Sequence, residues 1–394
     1  MRTILFDMTP LDTPSRYRGF GRYVRELALG LSKLPSHEKE GLRILGLTRL
    51  SWTGDFEVTE DLGAFEGNSD VPSPQAADHY REAYKRRVAL WRAARTLGAD
   101  LVHLGDPQAT PLGRRLAPGR FLVTCHDLIA LLFPEHYFTY RDGFGLVGRM
   151  LEKRRYTSAD HVVAISEATR DDLIRFFHLP SDRVTRVYNG VDLERWRRPM
   201  TQEDREARLA RLGLTGKKYV LYVGDVDWRK NVEGMTGGLA KARGLGAEVE
   251  LVFAGSLVDE RARRVDESAR EHGVERWVHR VGHLGDDDLL AAFRGAVAHV
   301  FVSRAEGFGL PVVESMACGC PVITTRATSL GEVAAEGAWL VDPEDHARIG
   351  EAIAALATDE ALRRSYMEKG RARAAVFSNE RQAREMVALY RKLV

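Results

Sequence analysis

The stretch Ser303-Arg-Ala-Glu306-Gly-Phe-Gly-Leu-Pro-Val-Val-Glu314-Ser-Met-Ala-Cys-Gly-Cys-Pro321 decides the fold. It follows an apolar run, Val297–Val302, that reads as a strand, and it opens a helix expected over Leu310–Cys318. Gly307 and Gly309 permit backbone conformations closed to other residues. Pro311 suits the first helical turn, where its missing N–H would have no partner anyway. Strand, glycine turn and helix in that order form the unit of a parallel α/β sheet. The free N–H groups and the dipole at the start of this helix make a ready phosphate site. Glu306 lies before the helix and Glu314 one turn inside it. A carboxylate accepts paired hydrogen bonds from vicinal hydroxyls, which is how proteins hold a ribose or a hexose. Taken singly, either glutamate reads equally well as a solvated charge. The glycines, the proline and the spacing together favour the ligand reading.

Outward from this stretch, short apolar runs alternate with amphipathic segments nearly throughout, so parallel β-α-β units are expected. The first series has strands at Thr3–Phe6, Leu42–Leu47, Leu101–Leu104, Phe121–Cys125, His161–Ile165 and Val184–Val187. Its helices are Arg22–Leu34, Tyr80–Leu97, Arg141–Tyr156 and Glu167–Phe177. Ser51–Asp78 is polar and rich in Pro, Gly and Asp, and is expected as a long loop shaping one side of a ligand site. Asn189–Pro199 reads as a linker. A second series begins with helix Gln202–Leu212 and strand Tyr219–Val223, and continues with strands Val249–Phe253, Trp277–Val281, Val297–Val302 and Pro321–Thr324. The expected layout is an α/β chain of two Rossmann-like domains, 1–195 and 196–376, with parallel sheets facing across a cleft. The C-terminal helix, 377–394, follows no further strand and is free to pack back on the first domain.

Open parallel sheets bind ligands beyond the carboxyl ends of their strands, and three more strand ends carry chemistry. Tyr219–Val223 leads into Gly224-Asp225-Val-Asp227-Trp-Arg229-Lys230-Asn231, where two cations stand ready for a diphosphate before a helix beginning near Asn231. Asp225 and Asp227 have the DxD spacing of a metal site. Arg229, Lys230 and the Leu310 helix already supply positive charge, so no metal is expected here. Either aspartate is instead expected to orient Arg229 or cap the helix. Arg18-Gly19-Phe20-Gly21-Arg22-Tyr23 follows the first strand. It lacks the third glycine and the acidic residue of a dinucleotide fingerprint, and reads as a flexible loop beside a phosphate or sugar. His126 follows the Phe121–Cys125 strand and could donate a hydrogen bond to a bound hydroxyl or shuttle a proton. No GxSxG nucleophile accompanies it.

Composition sets the outer bounds. The 394 residues are 44% hydrophobic and 29% charged, an ordinary globular balance. The formal charge of +2 offers no argument for nucleic-acid binding. Residues 1–198 carry 30 Lys+Arg against 26 Asp+Glu, a mild excess that would suit an anionic or membrane-linked acceptor but reads more simply as an ordinary solvated surface. Cys125, Cys318 and Cys320 form no disulfide framework, and a reducing cytosol is the expected compartment. The first residues do not read as a signal peptide, and no apolar run approaches spanning length. A cytoplasmic protein is expected, with any membrane contact peripheral at the inner face.

With these residues in view, the sequence resembles the family-4 retaining glycosyltransferases of the GT-B fold. EGFGLPVVESMACGCPV matches their two-glutamate signature, and the likeness extends to VGDVDWRKNV, VVAISEATRDDL, VYNGVD, Gly282-His283-Leu284 and LVDPED. The resemblance implies an acceptor-binding N-terminal domain and a C-terminal domain holding a nucleotide sugar, with no further cofactor. It implies that Glu314 binds ribose, that Glu306 faces the donor sugar, and that the Phe308-Gly309-Leu310 backbone holds sugar and phosphate. Lys230 and Arg229 would neutralise the diphosphate, His126 would contact the sugar and Gly21 would lie near the pyrophosphate. Ser303 and His283 join the donor set. Many members have arginine directly after the glycine of this motif, where Asp225 stands here; Arg229 is placed to supply the missing charge. The combination of GxGRY, HDL and RKN resembles the mannosyltransferase branch. It points to GDP-mannose over a UDP-sugar and to a hydroxyl on a glycan, a lipid-linked carrier or a small molecule, as in polysaccharide biosynthesis. The alternatives are a sugar-nucleotide epimerase on the same fold, or a degenerate sugar-nucleotide-binding partner subunit.

Overall fold

Runs such as Ala298–Phe301 and Val322–Thr325 are buried along their whole length, as strands covered by helices on both faces must be. The computed structural model describes residues 1–12, 16, 19–50, 55–65, 90–110, 119–137 and 145–394. The chain divides into two units: Met1–Gly190 with Ser378–Val394, and Val191–Phe377.

The first unit is built on strands β1 (Arg2–Asp7), β2 (Leu42–Leu50), β3 (Phe56–Thr59), β4 (Leu101–Leu104), β5 (Arg120–Cys125), β6 (His161–Ala164) and β7 (Val184–Arg186). Their order across the sheet is β3-β2-β1-β4-β5-β6-β7. All neighbours are parallel except β2 and β3. Leu5, Val102, Val123 and Val162, one from each of four adjacent strands, share one core cluster. The β3 edge corrects the expectation of a loop throughout Ser51–Asp78: Phe56, Val58 and Thr59 are strand formers, and Val58 sits opposite Leu47. Residues 51–54 and 66–78 of that segment lie outside the described residues. Of the helix expected over Tyr80–Leu97, residues 90–96 are helical and 80–89 lie outside the described residues.

The C-terminal helix, Asn379–Leu393, returns to this first unit. It packs along the helix Gly19–Lys33, where an added Cβ on Gly30 would stand 2.2 Å from the Asn379 carbonyl oxygen. Its Tyr390 hydroxyl meets His103 Nδ1 on β4 at 2.7 Å.

The second unit holds strands β8 (Tyr219–Val223), β9 (Glu250–Ala254), β10 (Val278–Gly282), β11 (Ala298–Phe301), β12 (Val322–Thr325) and β13 (Trp339–Val341). All are parallel, in the order β10-β9-β8-β11-β12-β13. This is the doubly wound order, and its direction reverses between β8 and β11. The segment expected as a linker, Asn189–Pro199, instead contains a helix, Leu193–Arg197, capped by Asp192. Trp196 on that helix is buried edge-on against Phe293. Burying so large a side chain holds the segment in the second unit, so the chain changes unit at Gly190–Val191 and the expected 195/196 boundary falls inside a helix. No helix among the described residues is long and apolar enough to cross a membrane.

Candidate active site

Strands β8 and β11 flank the reversal point of the second sheet, and the loops after them carry the two charged motifs. After β8, Asp227 caps a short 3-10 turn, Trp228–Lys230, by accepting from the backbone N–H groups of Arg229 at 3.0 Å and Lys230 at 3.3 Å. Its second oxygen pairs with Arg229 Nε at 2.9 Å. Asn231 then adopts a left-handed conformation, φ 58°, and accepts from Gly234 N–H to start the helix Val232–Gly244. Its side-chain amide donates to the carbonyls of Val302 and Pro343, fastening this turn to the end of β11. The Arg304 backbone N–H donates to the Arg229 carbonyl at 2.7 Å, a second tie between the two loops.

These ties bring Lys230 and Arg229 onto Glu306. Lys230 Nζ lies 2.5 Å from one carboxylate oxygen and Arg229 Nη1 3.5 Å from the other. Lys230 is 8% exposed and Glu306 9%, so the pair is held in a poorly hydrated environment where charge interactions are strong. Lys230 also sits 5.2 Å above the Phe301 ring. The backbone of Glu306 is pinned on both sides. Its N–H donates to Thr328 Oγ1, and its carbonyl accepts from the Thr328 and Ser329 hydroxyls, each at 2.8 Å.

Gly309 then turns the chain into the helix Leu310–Cys318 at φ 92°, a conformation costly for any residue with a Cβ; such a Cβ would also meet Leu330 at 2.6 Å. Phe308 is buried edge-on against Phe377 and anchors the turn. The first N–H groups of the helix lack intrahelical partners by construction. Glu314 is 2% exposed, so it is not a solvated helix residue. Ser303, fully buried, has no partner for its hydroxyl among the described residues, while its carbonyl accepts from Thr325 Oγ1.

The remaining expected residues lie elsewhere. His283 is exposed at the end of β10, the sheet edge, two strands from β8. Gly21 and His126 belong to the first unit. Gly21 is buried in the first turn of the helix Gly19–Lys33, so over residues 19–23 the reading of a flexible loop is corrected to helix, while Arg18 lies outside the described residues. His126 Nε2 lies 2.7 Å from the Gly105 carbonyl, at the end of β4. A carbonyl only accepts, so Nε2 carries the ring proton and Nδ1 is left as an acceptor. Burial holds the His126 pKa below the ordinary histidine value and keeps the ring neutral. With Nε2 held by that carbonyl, the nitrogen left for another partner is Nδ1, an acceptor. Phe20 and Tyr23 pack on the ring at 4.6 and 5.0 Å.

Sequence reasoning missed Thr328, Ser329 and Arg304. The pair of hydroxyl residues just past the end of β12 was the available signal, because strand ends at the reversal point are where side chains are recruited. Of the two aspartates, Asp227 does orient Arg229, whereas Asp225 pairs with Arg261 at 2.9 Å.

Comparison with known proteins bears on the family and the fold. Residues 17–195 match Glycosyltransferase Family 4 and residues 204–373 match the glycosyl transferases group 1. The chain is 28% identical to the O-antigen chain mannosyltransferase B of Escherichia coli, over 99% of this chain and 100% of that one. Among solved structures, the sucrose-phosphate synthase of Thermosynechococcus elongatus superposes with a TM-score of 0.77 at 24% identity, covering 100% of this chain and 99% of the other. HepE of Anabaena, crystallised with UDP-glucose, gives a TM-score of 0.73 at 17% identity, with each chain covered completely. A doubly wound nucleotide-type sheet, a charged cluster at its reversal point and two adjoining family matches lead to one conclusion: the chain belongs to the family-4, group 1 glycosyltransferases of the GT-B fold.

Proposed function

We propose that the protein is a retaining, metal-independent hexosyltransferase that uses a nucleoside-diphosphate sugar, with GDP-mannose the favoured donor. The observation that carries the reading is the buried Lys230–Glu306–Arg229 cluster beside the start of the Leu310–Cys318 helix. Mannose rests on the full-length similarity to a mannosyltransferase. The acceptor is a hydroxyl on a glycan, a lipid-linked carrier or a small molecule, held by the first unit; the second unit holds the donor.

As the glycosidic bond breaks, negative charge grows on the β-phosphate. Lys230, Arg229 and the helix start are fixed before the reaction, so little reorganisation is needed to stabilise that charge. Glu306 shares both cations and faces the sugar. Glu314 accepts from the ribose hydroxyls, His283 and Ser303 complete the donor pocket, and His126 accepts from a sugar hydroxyl through Nδ1. Asp225 and Asp227 are each engaged by an arginine, which leaves them poorly disposed to ligate a cation.

The test is donor hydrolysis over a panel of nucleotide sugars, before and after exhaustive chelation. Slow hydrolysis fastest with GDP-mannose, changed less than about twofold by chelator, is expected. Faster turnover of a UDP-sugar would replace the donor. Interconversion of UDP-GlcNAc would make the protein an epimerase, and inertness with every donor a degenerate binding subunit.

A further inference from the structure

A pocket opens on the second unit, away from the charged cluster. It encloses about 550 Å³ and is lined by Arg197, Arg294, Arg371, Ala317, Cys318, Ala372 and Ala375. Cys318 is the last residue of the helix Leu310–Cys318, whose first residue borders the Lys230–Glu306 cluster. Nine residues at about 1.5 Å each separate the two ends by roughly 13 Å, so the pocket is a distinct location.

Three guanidinium groups converge here from three helices. None pairs with a carboxylate among the described residues, whereas three neighbouring arginines do. Arg195 and Arg198 are paired with Asp286 and Asp287, and Arg208 with Asp204 and Asp288. Arg197 donates once, to the Arg371 carbonyl at 2.9 Å. Arg294 uses one terminal nitrogen on the carbonyls of Trp196 and Arg198. The Arg371 guanidinium packs on Gly319, where a Cβ would stand 2.3 Å from it. A guanidinium has five donors, so most of theirs remain unused. Burial, together with the neighbouring charges of Arg371, Arg198 and Arg205, pulls the Arg294 pKa down; Cys318 opposes this.

An ordinary explanation exists, since cations favour helix C-terminal ends. It covers about half a unit of charge per helix end and does not account for three cations around an open pocket. The floor is made of Ala317, Cys318, Ala372 and Ala375, all small, so the volume is not filled by the protein itself.

We infer that this pocket binds the phosphoryl group of a small organic phosphate, with Arg197, Arg294 and Arg371 as its ligands. Planar guanidinium forks match phosphate geometry, and the volume suits a molecule of sugar-phosphate size. The same chemistry could be presented by a free metabolite or by a phospholipid headgroup.

The experiment is calorimetric titration of the full chain with inorganic phosphate and with mannose 6-phosphate, and co-sedimentation with phosphatidylglycerol vesicles, at fixed ionic strength. Arg371→Gln and Arg197→Gln are the test variants, both at exposed positions; Lys230→Ala reports on the donor cluster. Millimolar or tighter binding of mannose 6-phosphate is expected, weakened roughly tenfold by either glutamine and unchanged by Lys230→Ala. Vesicle binding with the same dependence, without affinity for the soluble probes, would support the pocket with a lipid headgroup as its source. Binding lost in Lys230→Ala but intact in both glutamine variants would overturn the inference, as would no binding of any probe.

Discussion

Lys230, Asp227 and Glu306 show how much of this chemistry is a matter of single side chains. Lys230 touches the Glu306 carboxylate directly, whereas Asp227 acts through Arg229 and the turn it caps. Removing one preorganised charge partner of a transition state typically costs two to three orders of magnitude in rate. Lys230→Ala is therefore expected to lower kcat by roughly 100-fold or more, and Asp227→Ala by about tenfold, since Arg229 loses its orienter but stays present. Donor hydrolysis by both variants checks the order; a larger loss for Asp227→Ala would move the chemistry onto the aspartate. Buried histidines give a second prediction. His103 in the first unit and His299 in the second are fully buried, and burial pushes both pKa values to about 3. The unfolded chain takes up a proton at each near pH 6.5, the folded chain only near pH 3, so the unfolded state binds more protons throughout that window. Stability must fall as pH falls from about 6.5 towards 3, by about 2 kcal/mol per histidine between pH 7 and 5. Urea unfolding of wild type and His299→Gln at the two pH values measures it. The pH-dependent loss should shrink in the variant, and an unchanged loss would remove His299 as a source.

Among elements, the helix Gly19–Lys33 and the C-terminal helix Asn379–Leu393 meet more closely than side chains would allow. Replacing Gly30 with alanine should by propensity alone strengthen its helix by about 1 kcal/mol. The new Cβ, however, would stand 2.2 Å from the Asn379 carbonyl oxygen and 2.7 Å from its carbon, both backbone atoms that cannot swing aside. Overpacking of this kind costs about 1–3 kcal/mol, and contact with backbone places Gly30→Ala at the upper end, so a net destabilisation of about 2 kcal/mol is expected. Gly244, in the last turn of its own helix, has nothing within 4 Å of an added Cβ. Gly244→Ala should be neutral or stabilising. Thermal unfolding of the two variants side by side decides whether contact or propensity governs Gly30.

Across the whole molecule, the chain passes into the second unit at Val191 and returns at Ser378. The last seventeen or so residues thus complete a unit begun at the N-terminus. Tyr390 closes a buried network with His103, which also joins Thr124 and Tyr23, and the Asn379 amide reaches Glu26. Ending the chain after Phe377 would leave His103 without its Tyr390 partner and uncover the face of Gly19–Lys33 that faces this helix. Calorimetry of that truncated chain should show the transition of the first unit lowered or lost and that of the second retained. A single transition at the wild-type temperature would mean that the returning helix is dispensable.

Much of this was legible from residue order. Strand Tyr219–Val223 and helices Glu167–Phe177, Leu310–Cys318 and Asn379–Leu393 stand where hydrophobic period, proline and glycine placed them, because those signals are local. The grouping of Arg229, Lys230 and Glu306 followed from a general property of parallel sheets, that strand ends at the reversal point converge. Other features depended on partners distant in sequence. Phe56–Thr59 is a strand only because β2 lies beside it, and Leu193–Arg197 is a helix held by Trp196 against Phe293, almost a hundred positions away. The ring-proton position of His126 was fixed by the Gly105 carbonyl, and the backbone of Glu306 by hydroxyls on Thr328 and Ser329. The sequence by itself determined the α/β pattern and the charged motifs, since periodicity and backbone freedom are written in neighbouring residues. Only the tertiary structure decided proton positions, charge partners and where one unit ends, because those depend on distances between side chains that the chain brings together by folding.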